Sequence, residues 1–526
     1  MKRRSFLKKS ATASLALSAL PTVFGSVSVQ ALANAPVLNA MQELASSDDR
    51  IMVLVQLQGG NDGLNTVIPI EDPLYYAARP SIQIAKNKAL QLNSTTGLHP
   101  SMTGFKQLYD AGHLAVVQGV TYPNPDRSHF RGTDIWLTAT DANVFKTTGW
   151  VGRYLESFLP SNYPTSIPDD PLAIQIGSSL SLTFQGTPGA LGITFRDPDE
   201  FYKLVGKSTT IGGGSTSTGT PADNELEFIR TIQNSAEAYS QVIKKAGDAG
   251  NNMAAYPTTD LSEKLKVVAR LISGGLKTKF YLVSIGGYDT HIAQGNENGT
   301  HSALLSQLSG AITAFMDDIQ KLGFADRVAG MTFSEFGRRV KENGSSGTDH
   351  GTAAPLFVFG AKAKGGNIIG INPQLDAANL DERGDIKMQH DYREVYASAL
   401  AQWFGAPSNQ IEQIMLSKQF TSMPLFEAPN GVSEEQRPDG SMFLHQNVPN
   451  PAKSVTSIRY TLPAAMQVRL SVFTQQGQKI ATVFSGEQEA GTYDVQFPTA
   501  GLATGSYFYR LETSKFSAVK TMTIIK

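Results

Sequence analysis

Six side chains able to bind a metal ion lie where predicted strands of this 526-residue chain meet loops that contain glycine. They are Asp62, Asp289, His291, Glu335, Asp349 and His350. Imidazole nitrogens and carboxylate oxygens are the ligands left to a metal ion here, because the chain has no cysteine. Asp289 and His291 stand two residues apart, so an extended backbone places both on one side, where they can share one divalent cation. Each residue taken alone also fits a plain structural role, as Asn61-Asp62-Gly63 fits a turn.

Apolar runs beside these side chains predict the strands that position them. The runs are Arg50–Leu57, Leu114–Gly119, Phe280–Ile285, Arg327–Phe333 and Leu356–Phe359. Apolar spacing near 3.6 residues predicts helices over Leu226–Lys245 and Leu261–Leu276, and a third helix that begins near His301 and ends at Gly323. This alternation predicts an α/β fold with a doubly wound, mostly parallel sheet. Such sheets bind ligands at the carboxyl ends of their strands, where the six side chains fall.

A second polar cluster follows the run Leu114–Gly119. Arg127 and Arg131 could hold an anionic group through paired hydrogen bonds. Between them, Ser128 could act as a nucleophile or metal ligand, and His129 as a ligand or base. The alternative is that Ser128 only caps a helix that runs through Trp136.

The composition excludes several classes of protein. Hydrophobic residues make up 41% and charged residues 17% of the chain, which excludes a disordered protein or a coiled coil. The 45 basic and 46 acidic side chains nearly balance, so a nucleic-acid binder is not expected. The absence of cysteine excludes disulfides, thiolate metal sites and a cysteine nucleophile. Residues 206–222 are rich in Ser, Thr and Gly, which predicts a flexible insertion.

Residues 1–35 have the pattern of an export signal. A basic start precedes an uncharged stretch, Ser10–Val29, and a small-residue cleavage signal near Ala33. The stretch is too weakly apolar to be a permanent transmembrane span. Arg3 and Arg4, followed by Ser-Phe-Leu-Lys, resemble the twin-arginine signal, and this implies the twin-arginine translocase as a partner. An ordinary secretory signal is the alternative.

Residues 441–526, after a linker at 431–440, show the short alternating runs of a small β-sandwich. The runs are Ser457–Leu462, Val468–Phe473, Tyr493–Phe497, Tyr507–Glu512 and Thr521–Ile525. Together with the motif Asn-Val-Pro-Asn-Pro at 447–451, they resemble the C-terminal sorting domain of the type IX secretion system. The resemblance implies recognition by that machinery, and delivery through the periplasm of a Gram-negative bacterium to the cell surface or beyond. A fibronectin-like or carbohydrate-binding sandwich is the alternative.

Four strings in the α/β region, 36–430, resemble the family called domain of unknown function 1501. They are Val-Gln-Leu-Gln-Gly-Gly-Asn-Asp-Gly-Leu-Asn-Thr, Gly-Gly-Tyr-Asp-Thr-His, Thr-Phe-Ser-Glu-Phe-Gly-Arg-Arg and Gly-Thr-Asp-His-Gly-Thr-Ala-Ala-Pro. That family is similar to the alkaline phosphatase superfamily of phosphatases, sulfatases and phosphoglycerate mutases, which use two divalent metals. The resemblance implies that Asp62 binds one metal and that Ser128 is the nucleophile. It implies that Asp289, His291 and His350 hold the other metal.

One motif departs from the superfamily. Glu335-Phe336-Gly337 stands where the superfamily has Asp-His-Gly. Glu335 can replace the aspartate as an oxygen ligand, but Phe336 cannot replace the histidine. One metal site therefore lacks a ligand unless Asp349, His129 or His301 supplies it. His301 is expected to be a residue at the N-terminus of a helix rather than a ligand.

Two functions follow from these patterns. The first is an exported hydrolase of phosphate or sulfate esters that depends on one or two ions of zinc, manganese, calcium or magnesium. The second is a cell-surface binding or scaffold protein that keeps the fold without catalysis.

Overall fold

The computed structural model describes residues 49–206 except 161 and 164–165, residues 236–427, and parts of the C-terminal region. There it describes 443–525 except 445–446, 448–449, 451, 463, 475–477 and 514–516. The predicted export signal, the linker and nearly all of the insertion lie outside these residues. The chain divides into two compact units, 1–429 and 430–526.

The first unit alternates strands and helices along the chain. Its strands are β1 Ile51–Leu57, β2 Val67–Pro69, β3 Leu90–Gln91, β4 Thr96–Leu98, β5 Leu114–Thr121, β6 Ala173–Ile176, β7 Gln185–Gly186, β8 Gly189–Ala190, β9 Gly192–Phe195, β10 Phe280–Ile285, β11 Val328–Phe333, β12 Ala354–Gly360, β13 Ile368–Ile369 and β14 His390–Asp391. Its α-helices are α1 Gly63–Thr66, α2 Pro73–Ala78, α3 Thr103–Asp110, α4 His129–Thr138, α5 Trp150–Leu155, α6 Pro198–Gly206, α7 Asp260–Ser273, α8 Thr300–Lys321, α9 Tyr392–Ser398 and α10 Ser408–Ile414. Residues 236–249 are also helical, and a π-helical turn, Ala399–Trp403, follows α9.

A nine-stranded sheet forms the centre of this unit. Its order is β13-β5-β12-β11-β1-β10-β6-β9, and β14 also pairs with β5. The strands β11, β1, β10, β6 and β9 pair in parallel, whereas β12 runs antiparallel to both β11 and β5. The predicted α/β fold with a mostly parallel sheet is confirmed. Because β12 is reversed, the chain enters it at the same sheet edge at which β1, β10 and β11 end.

Both faces of the sheet are covered, as side-chain alternation in a strand requires. Along β1, Val53 and Val55 pack into one buried cluster with residues of α3, α7 and α8. Met52 and Leu54 point into the opposite cluster, which contains residues of α4, α5 and α9. All seven residues of β1 are buried, so this strand is held centrally and its C-terminal loop starts from a rigid point.

The sequence of helix α8 explains which face of the helix is buried and where the helix ends. Its large apolar side chains recur at helical spacing and are buried, and it begins at Thr300, one residue before His301. It ends at Lys321, and Gly323 then takes a positive φ of 81°. A side chain would be strained in that left-handed conformation, which explains the glycine.

The second unit is all β. Its strands are β15 Phe443–Leu444, β16 Val455–Leu462, β17 Met466–Thr474, β18 Lys479–Gln488, β19 Gly491–Pro498, β20 Gly505–Glu512 and β21 Ser517–Ile524. They form two antiparallel sheets, β15-β16-β19 and β18-β17-β20-β21, around a shared apolar cluster. The predicted antiparallel sheets are confirmed, but β18 was not among the predicted runs. None of the residues of β18 is fully buried. Its sequence therefore shows no clear alternation of apolar and polar residues, which is why the strand was not predicted.

No helix among the residues described above is long and apolar enough to cross a membrane.

Candidate metal centre

Asp289 lies at the middle of a cluster of histidines beyond the end of β10. Its Oδ1 is 3.0 Å from Nε2 of His291 and 3.1 Å from Nε2 of His350. Its Oδ2 is 3.4 Å from Nε2 of His129. The loops after β10 and before β12 and the first turn of α4 supply these residues, and all lie at one edge of the sheet. The Asp289 side chain is 45% exposed, so the cluster can be reached from solvent.

Each histidine is oriented through its other ring nitrogen. Nδ1 of His129 donates to Oε1 of Glu335 at 2.9 Å, and Nδ1 of His291 donates to Oδ1 of Asp349 at 3.0 Å. Nδ1 of His350 donates to the carbonyl oxygen of Arg127 at 2.8 Å. All three partners are acceptors, so they favour the tautomer in which Nδ1 carries the proton and Nε2 keeps a lone pair.

Three Nε2 lone pairs therefore converge on one carboxylate. Nε2 of His291 and Nε2 of His350 are 3.0 Å apart. The ligand atoms of His129, Asp289 and His350 all lie within 4.8 Å of one another. Facing lone pairs repel each other unless a proton or a cation lies between them. Burial lowers the pKa of His350, which disfavours the proton and leaves the arrangement suited to a metal ion.

A buried arginine fixes the carboxylate. Arg338 is 1% exposed and donates from Nη2 to Oδ1 of Asp289 at 2.6 Å. Its other donors reach the carbonyl oxygens of Gly60 and Thr348 at 2.7 and 2.8 Å. Burial acts to raise the pKa of Asp289, but the hydrogen bond and charge of Arg338 outweigh it and help to lower the pKa to about 2. The carboxylate is thus ionised and positioned at neutral pH.

The structure brings five of the six predicted metal-binding residues together in two layers. Asp289, His291 and His350 form the inner layer with His129. Glu335 and Asp349 lie behind them as acceptors for two of the histidines. This is the outer-shell arrangement by which carboxylates orient metal-binding histidines.

Asp62, the sixth, lies elsewhere, fully buried. Its Oδ2 accepts from Nη1 of Arg79 at 2.6 Å and from Nε2 of Gln294 at 2.5 Å. Burial acts to raise the pKa of Asp62, but the charge and hydrogen bond of Arg79 lower it overall. Its charge is therefore balanced within the protein by a guanidinium.

The residues predicted to handle an anionic ester lie before and within the first turn of α4. Ser128 is exposed, and its hydroxyl does not cap the helix, although it occupies the cap position. Arg127 forms ion pairs with Asp385 and, at 3.4 Å, with Asp381. Arg131 donates to the carbonyl oxygen of Val144 at 2.6 Å, so both guanidinium groups have protein partners.

Phe336 forms an apolar wall of the cluster. It is 2% exposed, and its ring centroid lies 4.9 Å from that of His129 and 4.6 Å from that of His350. The packing is close enough that a Cβ added at Gly60 would lie 2.3 Å from Cε2 of Phe336. The position where a histidine ligand was expected is filled by a hydrocarbon ring.

The sequence did not single out Arg79, Gln294 or Arg338. Arg338 lies in the string Ser-Glu-Phe-Gly-Arg-Arg, in which two arginines follow a glutamate at the end of a strand. That arrangement is a local signal by which the sequence could have indicated a role for Arg338. Arg79 and Gln294 carry no such signal, because they stand 17 and 232 positions from Asp62.

Family comparisons agree with the two resemblances. Residues 232–415 match the family described as protein of unknown function (DUF1501), and residues 448–526 match the secretion system C-terminal sorting domain. No curated protein sequence matches the chain.

Three of the solved structures that the chain matches come from bacteria. A protein in the alkaline phosphatase superfamily from Vibrio parahaemolyticus is 11% identical over 80% of this chain and 76% of its own, with a TM-score of 0.33. The PsFucS1 sulfatase from Pseudoalteromonas sp. is 11% identical over 88% of this chain and 86% of its own, also with a TM-score of 0.33. Dimeric latent PorU from Porphyromonas gingivalis is 14% identical over 18% of this chain, with a TM-score of 0.15, and the match spans only 10% of the PorU chain.

The chain is therefore similar to the DUF1501 family over residues 232–415 and to secretion system C-terminal sorting domains over residues 448–526.

Proposed function

We propose that the protein is an exported hydrolase of phosphate or sulfate esters whose metal ion is bound by His129, Asp289, His291 and His350. One observation carries the proposal: three histidines, each held through Nδ1 by an acceptor, direct Nε2 toward one ionised carboxylate. Nε2 lone pairs held 3.0, 3.1 and 3.4 Å from carboxylate oxygens repel those oxygens unless a cation lies between them.

The ligand types favour zinc among the four ions considered. Three imidazole nitrogens and one carboxylate oxygen suit zinc, whereas calcium and magnesium prefer sites made entirely of oxygen. Manganese accepts mixed nitrogen and oxygen ligands and is the second choice.

The chemistry follows from the positions of the residues. A bound divalent ion supplies a Lewis acid that polarises the ester and lowers the pKa of a water molecule or hydroxyl group. Glu335 and Asp349 keep the histidines in the binding tautomer. Asp289 and His291 are 45% and 39% exposed, which leaves an open side for substrate. Ser128, exposed and next to His129, remains the proposed nucleophile.

Export is the second part of the proposal. The sorting domain at 448–526 indicates secretion to the cell surface or the extracellular space. We place the twin-arginine translocase and the periplasm on the route because of Arg3 and Arg4. Replacing both by lysine should retain the protein in the cytoplasm, and unchanged secretion would refute that route.

Hydrolysis is tested with full-length protein reconstituted with zinc and assayed on aryl phosphate and aryl sulfate esters. His350→Ala should lose both zinc and turnover. His113→Ala is the matched control, because His113 precedes β5 at the opposite edge of the sheet. Full turnover in His350→Ala would overturn the assignment.

A specific observation favours a second function, a cation-binding surface protein without catalysis. Arg127 pairs with Asp385 through Nη2 and Arg131 donates from Nη2 to the carbonyl oxygen of Val144, so the protein already occupies these two donor groups. Under this alternative, Ser128→Ala binds zinc normally and no ester is hydrolysed by either form. A zinc-dependent rate that is lost in Ser128→Ala excludes it.

A further inference from the structure

The superfamily pattern calls for a second metal ion, and the groups that would bind it are Asp62, Glu335 and the residue at position 336. Each of them has a different task in this structure. Their contacts decide how many metal ions the centre can take.

Asp62 already has a cation. Its Oδ2 is 2.6 Å from Nη1 of Arg79, and both side chains are fully buried. Arg79 is fixed in turn, because it also donates to the carbonyl oxygens of Val340 and Arg339 at 2.9 and 2.8 Å. Arg338 pairs with Asp289 too, but Asp289 is 45% exposed and its Oδ2 faces His129. On the fully buried Asp62, a divalent ion would lie directly against the Arg79 guanidinium, which its carbonyl partners hold in place.

Glu335 is committed to orienting other groups. It is 3% exposed, and its Oε1 accepts from the backbone N–H of Gly59 at 2.8 Å and from Nδ1 of His129 at 2.9 Å. Its Oε2 accepts from the hydroxyl of Ser334 at 3.4 Å. Taking Oε1 for a metal would release His129 from the inner layer. Phe336 offers no ligand atom, and its contact with Gly60 leaves no space for a larger rearrangement.

We propose that the centre binds a single divalent cation and that the Arg79 guanidinium permanently occupies the role of the second. This inference rests on the proposed function, since it assumes the centre formed by His129, Asp289, His291 and His350. It adds that the second positive charge is part of the polypeptide, so it is neither exchangeable nor removed by chelators.

One atom of Asp62 makes the proposal sharply testable. Its Oδ1 is buried and has no hydrogen-bond partner among the described residues, so it is the atom of Asp62 that a second metal ion would bind. Asp62→Asn keeps the shape and removes the charge. Glu335→Gln keeps the acceptor oxygen for Gly59 and His129 while removing its charge.

The experiment counts zinc atoms retained per chain, by mass spectrometry of the metal, after chelation, reloading and desalting of the full-length protein. The wild type, Asp62→Asn and Glu335→Gln should each retain one atom, and Asp289→Ala should retain none. Circular dichroism identifies any variant that fails to fold. If Asp62→Asn fails to fold, the zinc content of Glu335→Gln tests the proposal.

The possible outcomes separate the two proposals. Two zinc atoms in the wild type, falling to one in either folded variant, would overturn the single-cation inference and leave the metal centre intact. No zinc in the wild type would overturn both. One atom in the wild type that is lost in folded Asp62→Asn would place the ion at Asp62 and contradict the inference.

Discussion

Glu335→Ala tests whether the outer carboxylate sets the affinity of the centre. Glu335 touches His129 through a single 2.9 Å hydrogen bond from Nδ1 and does not belong to the inner layer. Its loss frees the imidazole to rotate and to adopt the other tautomer. Removing such an outer-shell partner weakens metal binding about 10- to 100-fold. At about 1.4 kcal/mol per tenfold change, this corresponds to about 1.4–2.8 kcal/mol of binding free energy.

The assay is a competition titration in which a chromophoric chelator and the protein compete for zinc. Glu335→Gln should lose less affinity than Glu335→Ala, because its amide oxygen can still accept from Nδ1 of His129. Glu263→Ala is the control, since Glu263 is exposed on α7 and its carboxylate lies 3.8 Å from Nζ of Lys266. Equal zinc affinity in Glu335→Ala and the wild type would refute the idea that this carboxylate orients a ligand.

Three further predictions concern the groups around the centre. Burial lowers the pKa of His301 to about 3 from 6.5, so between these values the unfolded chain binds a proton that the folded chain does not. The free energy of unfolding should therefore fall as the pH drops below 6.5, by about 1.4 kcal/mol per pH unit for this residue. Urea unfolding at pH 7 and pH 5 should show a smaller fall in His301→Gln than in the wild type. An equal fall in both proteins would contradict this. Gly60→Ala adds a Cβ 2.3 Å from Cε2 of Phe336 at a φ of 80°, and urea unfolding should show a loss of about 1–3 kcal/mol that Gly344→Ala does not share. Arg127→Met leaves the buried Asp385 unpaired and should cost about 3–5 kcal/mol of stability without raising KM; a raised KM at unchanged stability would instead assign Arg127 to the anionic ester.

The strands were predictable because their signal is local. Strand β10 has the predicted bounds, and β1 and β11 differ by one residue at their first position. The reversed direction of β12 was not predictable from its own residues, because an apolar run looks the same in either direction. The two-residue strands β13 and β14 are too short to leave a pattern.

The proximity of Asp289, His291 and His350 was also predictable, since they follow or precede strands at one sheet edge; that they bind a metal stays a prediction. Their arrangement was not predictable, because it depends on pairs far apart in sequence. Glu335 and His129 are 206 positions apart, and Asp289 and Arg338 are 49 apart. The pairing of Asp62 with Arg79 shows the same limit, since a carboxylate at a strand end looks alike whether its partner is a metal or an arginine.

Zinc K-edge X-ray absorption of the reconstituted full-length protein tests the central claim most directly. The account predicts nitrogen and oxygen neighbours at about 2.0–2.1 Å, with the outer-shell scattering of three imidazole rings. In His350→Ala the imidazole contribution should fall or the zinc should be lost. A first shell of oxygen atoms without imidazole scattering in the wild type would contradict the claim that His129, His291 and His350 bind the metal.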